Sequence, residues 1–419
     1  MYRATLGVAA LLLLDPAVQG YSVLTHEAII DSAWIGSIRP LLVARFPDAT
    51  PRALVEAHGY AYAGCILQDM GYYPFGSRFF SDLVHYVRSG DFVVNLIRES
   101  QDLNEYAFAL GALAHYAADT QGHAIAVNPS VAMEYPKLKR RYGRVVTYED
   151  DPTAHIRVEF SFDVLQVARG NYAPQSYHDF IGFQVAKGVL GRAFRDTYSL
   201  DLTDVFSDLD LALGTYRRAV GVVIPQMTRA AWHIKKDELA AATSGITRRK
   251  FVYNISRASY RKYWKERWQE PGIGTRILAL LIEILPKVGP LKALAFKAPT
   301  AQSEGLFELS FDKTLDLYRG FLKDPDLARL QLADRNFDTG EATRPTEYRM
   351  ADDCYARLVT KLAERDPATV DAKLRENILE FYGNLDLPFA TKKDAKQWQQ
   401  TLAALDKLKA AGAVASPVR

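Results

Sequence analysis

Five of the eight histidines in this 419-residue chain, His26, His85, His115, His123 and His155, each stand close in sequence to a carboxylate. The densest group is HYAADTQGH, which sets His115, Asp119 and His123 at i, i+4 and i+8. On a helix these positions drift only about 80° around the axis, so all three side chains can enter one cleft. Imidazole and carboxylate suit a borderline cation such as zinc; a polar face with two solvated histidines is the simpler alternative. HIRVE repeats the spacing with His155 and Glu159, a pair that can clasp a metal or merely support a solvated helix. Upstream lie His26 in THE, Asp69 in GCILQDMGYYPFG and His85 in FSDLVHY. Each is weak alone, but together they place five histidines and three carboxylates within residues 26–159.

The elements that must position these groups are helices. Apolar residues recur at three- and four-residue intervals, as in Ala107, Leu110, Ala114 and Ala118, and strand-like alternation is scarce, so the fold class is all-α. The periodicity predicts helices over 24–36, 51–66, 78–99, 103–125, 153–169, 178–195 and 205–242. Others are predicted over 304–323, 346–364, 367–382 and 391–410, with Asn336 to Pro345 a loop rich in breakers. Asp102 and Glu105 sit where acids favour the dipole of the 103–125 helix. His58, His178 and His233 have no carboxylate in a matching motif and read as structural.

A hydrophobic content of 48% over this length can bury a sizeable core. With 52 basic against 49 acidic residues, the net charge of +3 argues for no polyanionic partner. Residues 1–20 read as an export signal: Arg3, the apolar run Leu6 to Leu14, then Val18-Gln19-Gly20 at the cleavage positions. Cleavage after Gly20 leaves Tyr21 as the mature N-terminus and places the protein outside the cell or in a periplasm. The apolar run is too short to span a bilayer, and no other charge-free window reaches that length. The helical pattern stops near Thr243, dividing a domain over 21–243 from a helical C-terminal region over 244–419 whose role is open. Within the latter, Gly272 to Pro299 is rich in Leu and Ile with two interior prolines. It reads as core between the two parts or as a patch that rests on lipid. Cys65 and Cys354 are the only cysteines, and export permits a bridge between them without requiring one.

The ordered set of ligands, with the free amine of Tyr21 five residues before His26, resembles the zinc-dependent phospholipase C and single-strand nuclease superfamily. The resemblance covers roughly residues 21–240. It implies an all-helical domain with three zinc ions: one held by Asp69, His85, His115 and Asp119, and a second by His123, His155 and Glu159. The third is held by the Tyr21 amine and carbonyl with His26, Asp119 being shared. The chain departs from the family pattern in having Tyr21 for the usual Trp, which is tolerable because the backbone ligates. Only Thr120, Gln121 and Gly122 separate Asp119 from His123 where five residues are common; Gly122 can loosen the helix there. Leu24, Met70 and Asp82 stand where the bacterial phosphatidylcholine enzymes carry an acid and two aromatics, so headgroup choice is not inherited.

The resemblance implies an exported zinc-dependent phosphodiesterase, with a phospholipase C acting on glycerophospholipids as the first expectation. Asp69 either orients or deprotonates the attacking water or serves only as a ligand. Glu159, where nucleases usually have Asp, and the apolar 272–299 segment, a possible peripheral membrane contact, favour lipid. The Tyr21 to His26 interval is closer to the nuclease type, which keeps a nuclease or nucleotidase acting on nucleic acid as the alternative. A metal-bearing surface protein without catalysis is the third reading. No obligate protein partner is evident.

Overall fold

A computed structural model of the chain describes residues 23–168, 184–220, 295–324 and 326–414, together with the isolated positions 224, 227 and 231. The predicted signal, Tyr21, His178, His233, the boundary near 243 and residues 272–294 all lie outside these described residues. Among the described residues the fold is all-α; the one piece of extended pairing is an isolated bridge between Arg335 and Ala342. No helix among them is long and apolar enough to cross a membrane.

The chain begins with α1 (Val23–Ala33), runs through a π-helical turn at Trp34–Ile38 and a short helix Arg39–Arg45, and then enters α2 (Pro51–Gly64). Thr50 starts α2 by accepting the Ala53 N–H, with Pro51 at the first turn, where its missing donor costs nothing. The expected 78–99 helix is two helices, α3 (Arg78–Tyr86) and α4 (Ser89–Glu99). They are parted at Arg88, which has φ of 49°. Its guanidinium is held by Asp91 at 2.6 Å and by the Thr197 carbonyl at 2.8 Å, contacts that fix a backbone conformation helices do not use.

The central helix is α5 (Leu103–Gly122), capped by Asp102, which accepts the N–H groups of Asn104 and Glu105. It packs on α2 with small residues at the contact. A Cβ on Gly111 would come within 2.2 Å of the Ala61 carbonyl oxygen, and one on Gly64 within 2.0 Å of the Phe108 carbonyl oxygen, so only glycine permits this approach. Two short helices that periodicity did not signal follow, α6 (Asn128–Glu134) and α7 (Pro136–Tyr142). Then come α8 (Pro152–Ala168) and α9 (Lys187–Tyr198). Residues 184–186 are not helical, which moves the start of the expected 178–195 helix. The expected 205–242 helix is likewise interrupted, with Leu202–Val205 and Leu209–Arg218 as separate pieces split around Phe206.

The elements after residue 294 join the same apolar core. Helix α10 (Ala301–Phe321) lies along α5, with the Tyr318 hydroxyl donating to the Leu110 carbonyl at 2.9 Å and Phe307 stacked on Phe162 of α8 at 4.8 Å. Beyond the 334–346 loop come α11 (Arg349–Ala363), which packs on α3, then α12 (Ala372–Phe381) and α13 (Ala395–Val414). Cys65 and Cys354 are both buried free thiols.

Where α10 meets α6, the Ser303 hydroxyl donates to the buried Glu134 carboxylate at 3.1 Å. Burial pushes this carboxyl from 4.5 up to about 8, against the pull of Ser303 and Lys297. Because the folded pKa is the higher one, its contribution to stability is full below about pH 4.5 and is lost as pH rises toward 8. Glu134→Gln should therefore match the parent near pH 4 and exceed it by about 2–4 kcal/mol at pH 9. Thermal or denaturant unfolding at the two pH values checks this; equal stabilities at pH 9 would refute it.

Candidate metal centre

Three elements bring the first group of ligands together. Asp69 lies in a 3-10 turn, Leu67–Tyr72, after α2; His85 is on the last turn of α3; His115 and Asp119 are one turn apart on α5. None is more than 1% exposed. Each histidine is oriented through Nδ1: His85 on the Ser81 carbonyl at 2.8 Å, His115 on the Cys65 carbonyl at 3.0 Å. A carbonyl can only accept, so Nδ1 carries a proton and, in the neutral ring that can bind a cation, the Nε2 lone pair turns inward.

Those lone pairs meet carboxylates. Asp119 Oδ2 lies 3.0 Å from His115 Nε2, 3.6 Å from His85 Nε2 and 3.9 Å from His123 Nε2. Asp119 Oδ1 lies 3.4 Å from Nε2 of His26, whose ring is stacked on His115 at 4.6 Å. Asp69 Oδ1 is 3.4 Å from His85 Nε2. Asp119 thus sits at the middle of the assembly with one oxygen toward each side.

The second group follows at once. Helix α5 ends at Gly122, and His123 opens a π-helical turn through Val127, so the short Asp119 to His123 interval is accommodated by a change of helical pitch. The His123 ring stacks on His155 of α8 at 4.9 Å, and His155 Nδ1 lies 2.5 Å from Glu159 Oε1. On its other side His155 Nε2 meets Asn128 Oδ1 at 2.8 Å and, less closely, His123 Nδ1 at 3.3 Å.

Asp69, His85, His115 and Asp119 form one set of converging donors, and His123, His155 and Glu159 another, each set within 4.8 Å. The donor chemistry fits a zinc-like cation in both. Both oxygens of Asp69, Asp119 and Glu159, Nε2 of His85, His115 and His123, and Nδ1 of His155 are buried with no hydrogen-bond partner among the described residues. So many convergent orphaned acceptors would be costly without a cation between them.

Protons compete for the same atoms. Burial opposes a charge on His85, but the Asp119 and Asp69 carboxylates beside it outweigh that and hold it up to about 10. Burial and the neighbouring His115 push His26 down to about 3. In the second set, burial lowers His155 and raises Glu159, so their close approach is a meeting of two neutral groups rather than an ion pair. Metal uptake must displace protons and weakens as pH falls.

Tyr21, expected to complete a third site with His26, lies outside the described residues. Leu24 and Thr25, just before His26, are tied down: Asp163 Oδ2 accepts the Leu24 N–H at 2.9 Å, and Oδ1 accepts the Thr25 N–H at 3.1 Å and its hydroxyl at 2.7 Å. Asp163 was missed in the sequence, although it extends the His155, Glu159 spacing by one more turn. Asn128 and the 336–340 loop were also missed, and no local spacing marks them. His58 is structural: it meets Asp31 at 2.9 Å and stacks on Trp34 at 3.8 Å. Just after Asp69, Tyr72 and Tyr73 are buried and Phe75 is 56% exposed.

Residues 25–208 match the model of a family described as zinc dependent phospholipase C. The match spans every candidate ligand from His26 to Glu159 and ends before α10, so the later helices that complete the core stand outside it. No curated protein and no solved structure matches the chain. The match to that family and the two buried donor sets are both compatible with hydrolase chemistry at a zinc centre.

Proposed function

We propose that the protein is an exported phospholipase C that holds three zinc ions and hydrolyses glycerophospholipids to diacylglycerol and a phosphorylated headgroup. The observation that carries this reading is the pair of buried donor sets joined through Asp119 in a segment of the phospholipase C family. Asp69, His85, His115 and Asp119 would hold one ion, His123, His155 and Glu159 a second, and His26 with the Tyr21 terminus and Asp119 a third. Bound there, zinc supplies Lewis-acid stabilisation of charge on the phosphoryl oxygens and lowers the pKa of water.

The chain's own residues do the rest. The Ser81 and Cys65 carbonyls hold the His85 and His115 rings in place, so no reorganisation is needed at the moment of reaction. Burial raises the Asp69 carboxyl above its ordinary value, which suits a group that takes a proton from the attacking water. The water oxygen would bond to phosphorus as the P–O bond to glycerol breaks, and the proton taken up from water would pass to the departing glycerol oxygen.

A cleft of about 650 Å³ opens beside the first turn of α8, the helix of His155 and Glu159. Lys137, Arg140, Arg157 and Lys297 line it together with Leu138 and Ala154, and outnumber its one carboxylate, Asp151, a combination that suits anionic lipid. The deciding comparison is turnover of phosphatidylcholine, phosphatidylethanolamine and single-stranded DNA by zinc-loaded protein beginning at Tyr21. Lipid is expected to be cleaved faster, on the diacylglycerol side. Lys137→Glu with Arg140→Glu should reduce cleavage of anionic vesicles while sparing a soluble phosphodiester. Efficient DNA hydrolysis without release of phosphorylated headgroup from any lipid would replace this reading with the nuclease one.

A further inference from the structure

The loop between the Arg335 and Ala342 bridge residues reaches both donor sets from outside the family segment. The Phe337 N–H donates to the His85 carbonyl at 3.2 Å, and its buried ring lies 5.1 Å from the His85 ring and 5.9 Å from that of His115. Gly340 has φ of +73°, and a Cβ there would stand 2.5 Å from the Thr120 carbonyl oxygen, so the loop lies directly on α5 beside Asp119. Its carbonyl at Asp338 accepts from Asn128 Nδ2 at 2.7 Å.

That last bond has a chemical consequence. An amide side chain can present either its oxygen or its nitrogen to a neighbour. With Nδ2 committed to the Asp338 carbonyl, Asn128 must offer Oδ1 to His155, so His155 carries its proton on Nε2 and turns the Nδ1 lone pair toward Glu159. The carbonyl is in turn held in place by its own side chain: the hydroxyls of Tyr86 on α3 and of Tyr348, just before α11, both donate to Asp338 Oδ2.

We propose that Asp338 is a positioning residue for the zinc site formed by His123, His155 and Glu159, acting through Asn128 to select the His155 tautomer. The C-terminal region then sets the metal affinity of a centre whose ligands all precede it. This rests on the reading of those three residues as zinc ligands.

The test is zinc affinity of the full-length protein, measured by competition with a zinc buffer, and the visible spectrum after cobalt substitution. Asn128→Ala should weaken the most weakly held metal by about 10–100-fold, and Asp338→Ala by a similar factor. The double variant should be no weaker than Asn128→Ala alone, because both act on one path. Asp338→Asn, which still offers an oxygen to the two tyrosines, should stay near the parent. Asn128→Asp can accept from His155 without help from the loop, so in that background Asp338→Ala should no longer change affinity. A residue that merely stabilised the fold would not be rescued in this way. If Asp338→Ala does not fold, Tyr348→Phe replaces it, with a smaller loss expected in the parent and none beside Asn128→Asp. Unchanged affinity and cobalt spectra in Asn128→Ala, or multiplicative losses in the double variant, overturn the proposal while leaving the zinc reading intact. A parent protein that binds no zinc would instead remove the zinc reading itself.

Discussion

Asp119→Ala is expected to leave a folded protein that has lost the zinc of the first and third sites and, with it, its hydrolytic activity. Four histidines, His26, His85, His115 and His123, face this one carboxylate within 3.0 to 3.9 Å, so no other single ligand serves so many partners. A cation bound only by the folded chain, at a thousand times its Kd, contributes about 4 kcal/mol to stability. The parent should therefore melt at a markedly lower temperature with chelator, whereas the variant should show a much smaller chelator shift, that of the His123, His155 and Glu159 site alone. Asp119→Asn keeps the shape and loses the charge, and should retain at most part of the metal. Elemental analysis showing a full zinc complement in Asp119→Ala would contradict the central place given to this residue.

The second large effect concerns the start of the chain. Asp163 ties the first turn of α1 to α8 by three buried hydrogen bonds, one turn beyond Glu159. Asp163→Ala strands two backbone N–H groups away from water, each at a cost of about 1–3 kcal/mol. Beyond that general loss, His26 would be released from its place 3.4 Å from Asp119. The same selective defect is expected from a protein that carries one extra residue ahead of Tyr21, since the free amine is then displaced. Both changes should lower zinc content by one ion and sharply reduce turnover, with helical content by circular dichroism retained. Unaltered zinc content and turnover in the extended protein would show that the N-terminus takes no part in the site.

The contrast between Asp163 and Asp338 explains what could be read from the residues alone. Spacing on a helix is a local property: His115 with Asp119, and His155 with Glu159, are legible because 3.6 residues make a turn, and Asp163 obeys the same rule. The all-α fold is legible for the same reason. The break at Arg88 is not, because it depends on the Thr197 carbonyl, which lies on another helix. Asn128 and Asp338 are 210 residues apart, and nothing in either neighbourhood signals that one orients the other. The helices over 128–142 escaped because each spans only seven residues, too short for a periodic signal.

The contact of the 336–340 loop with His85 and Asn128 also bears on the order in which the molecule is made. The last ligand of the family segment, Glu159, leaves the ribosome about 180 residues ahead of Phe337, an interval on the order of 10–35 s at ordinary rates of synthesis. Throughout that interval the nascent chain contains every candidate histidine and carboxylate but not the carbonyl that orients Asn128 or the ring that packs against His85. If those residues bind zinc as proposed, the finished centre forms only once the 336–340 loop is present, and a product terminated before residue 334 would carry the candidate ligands without it.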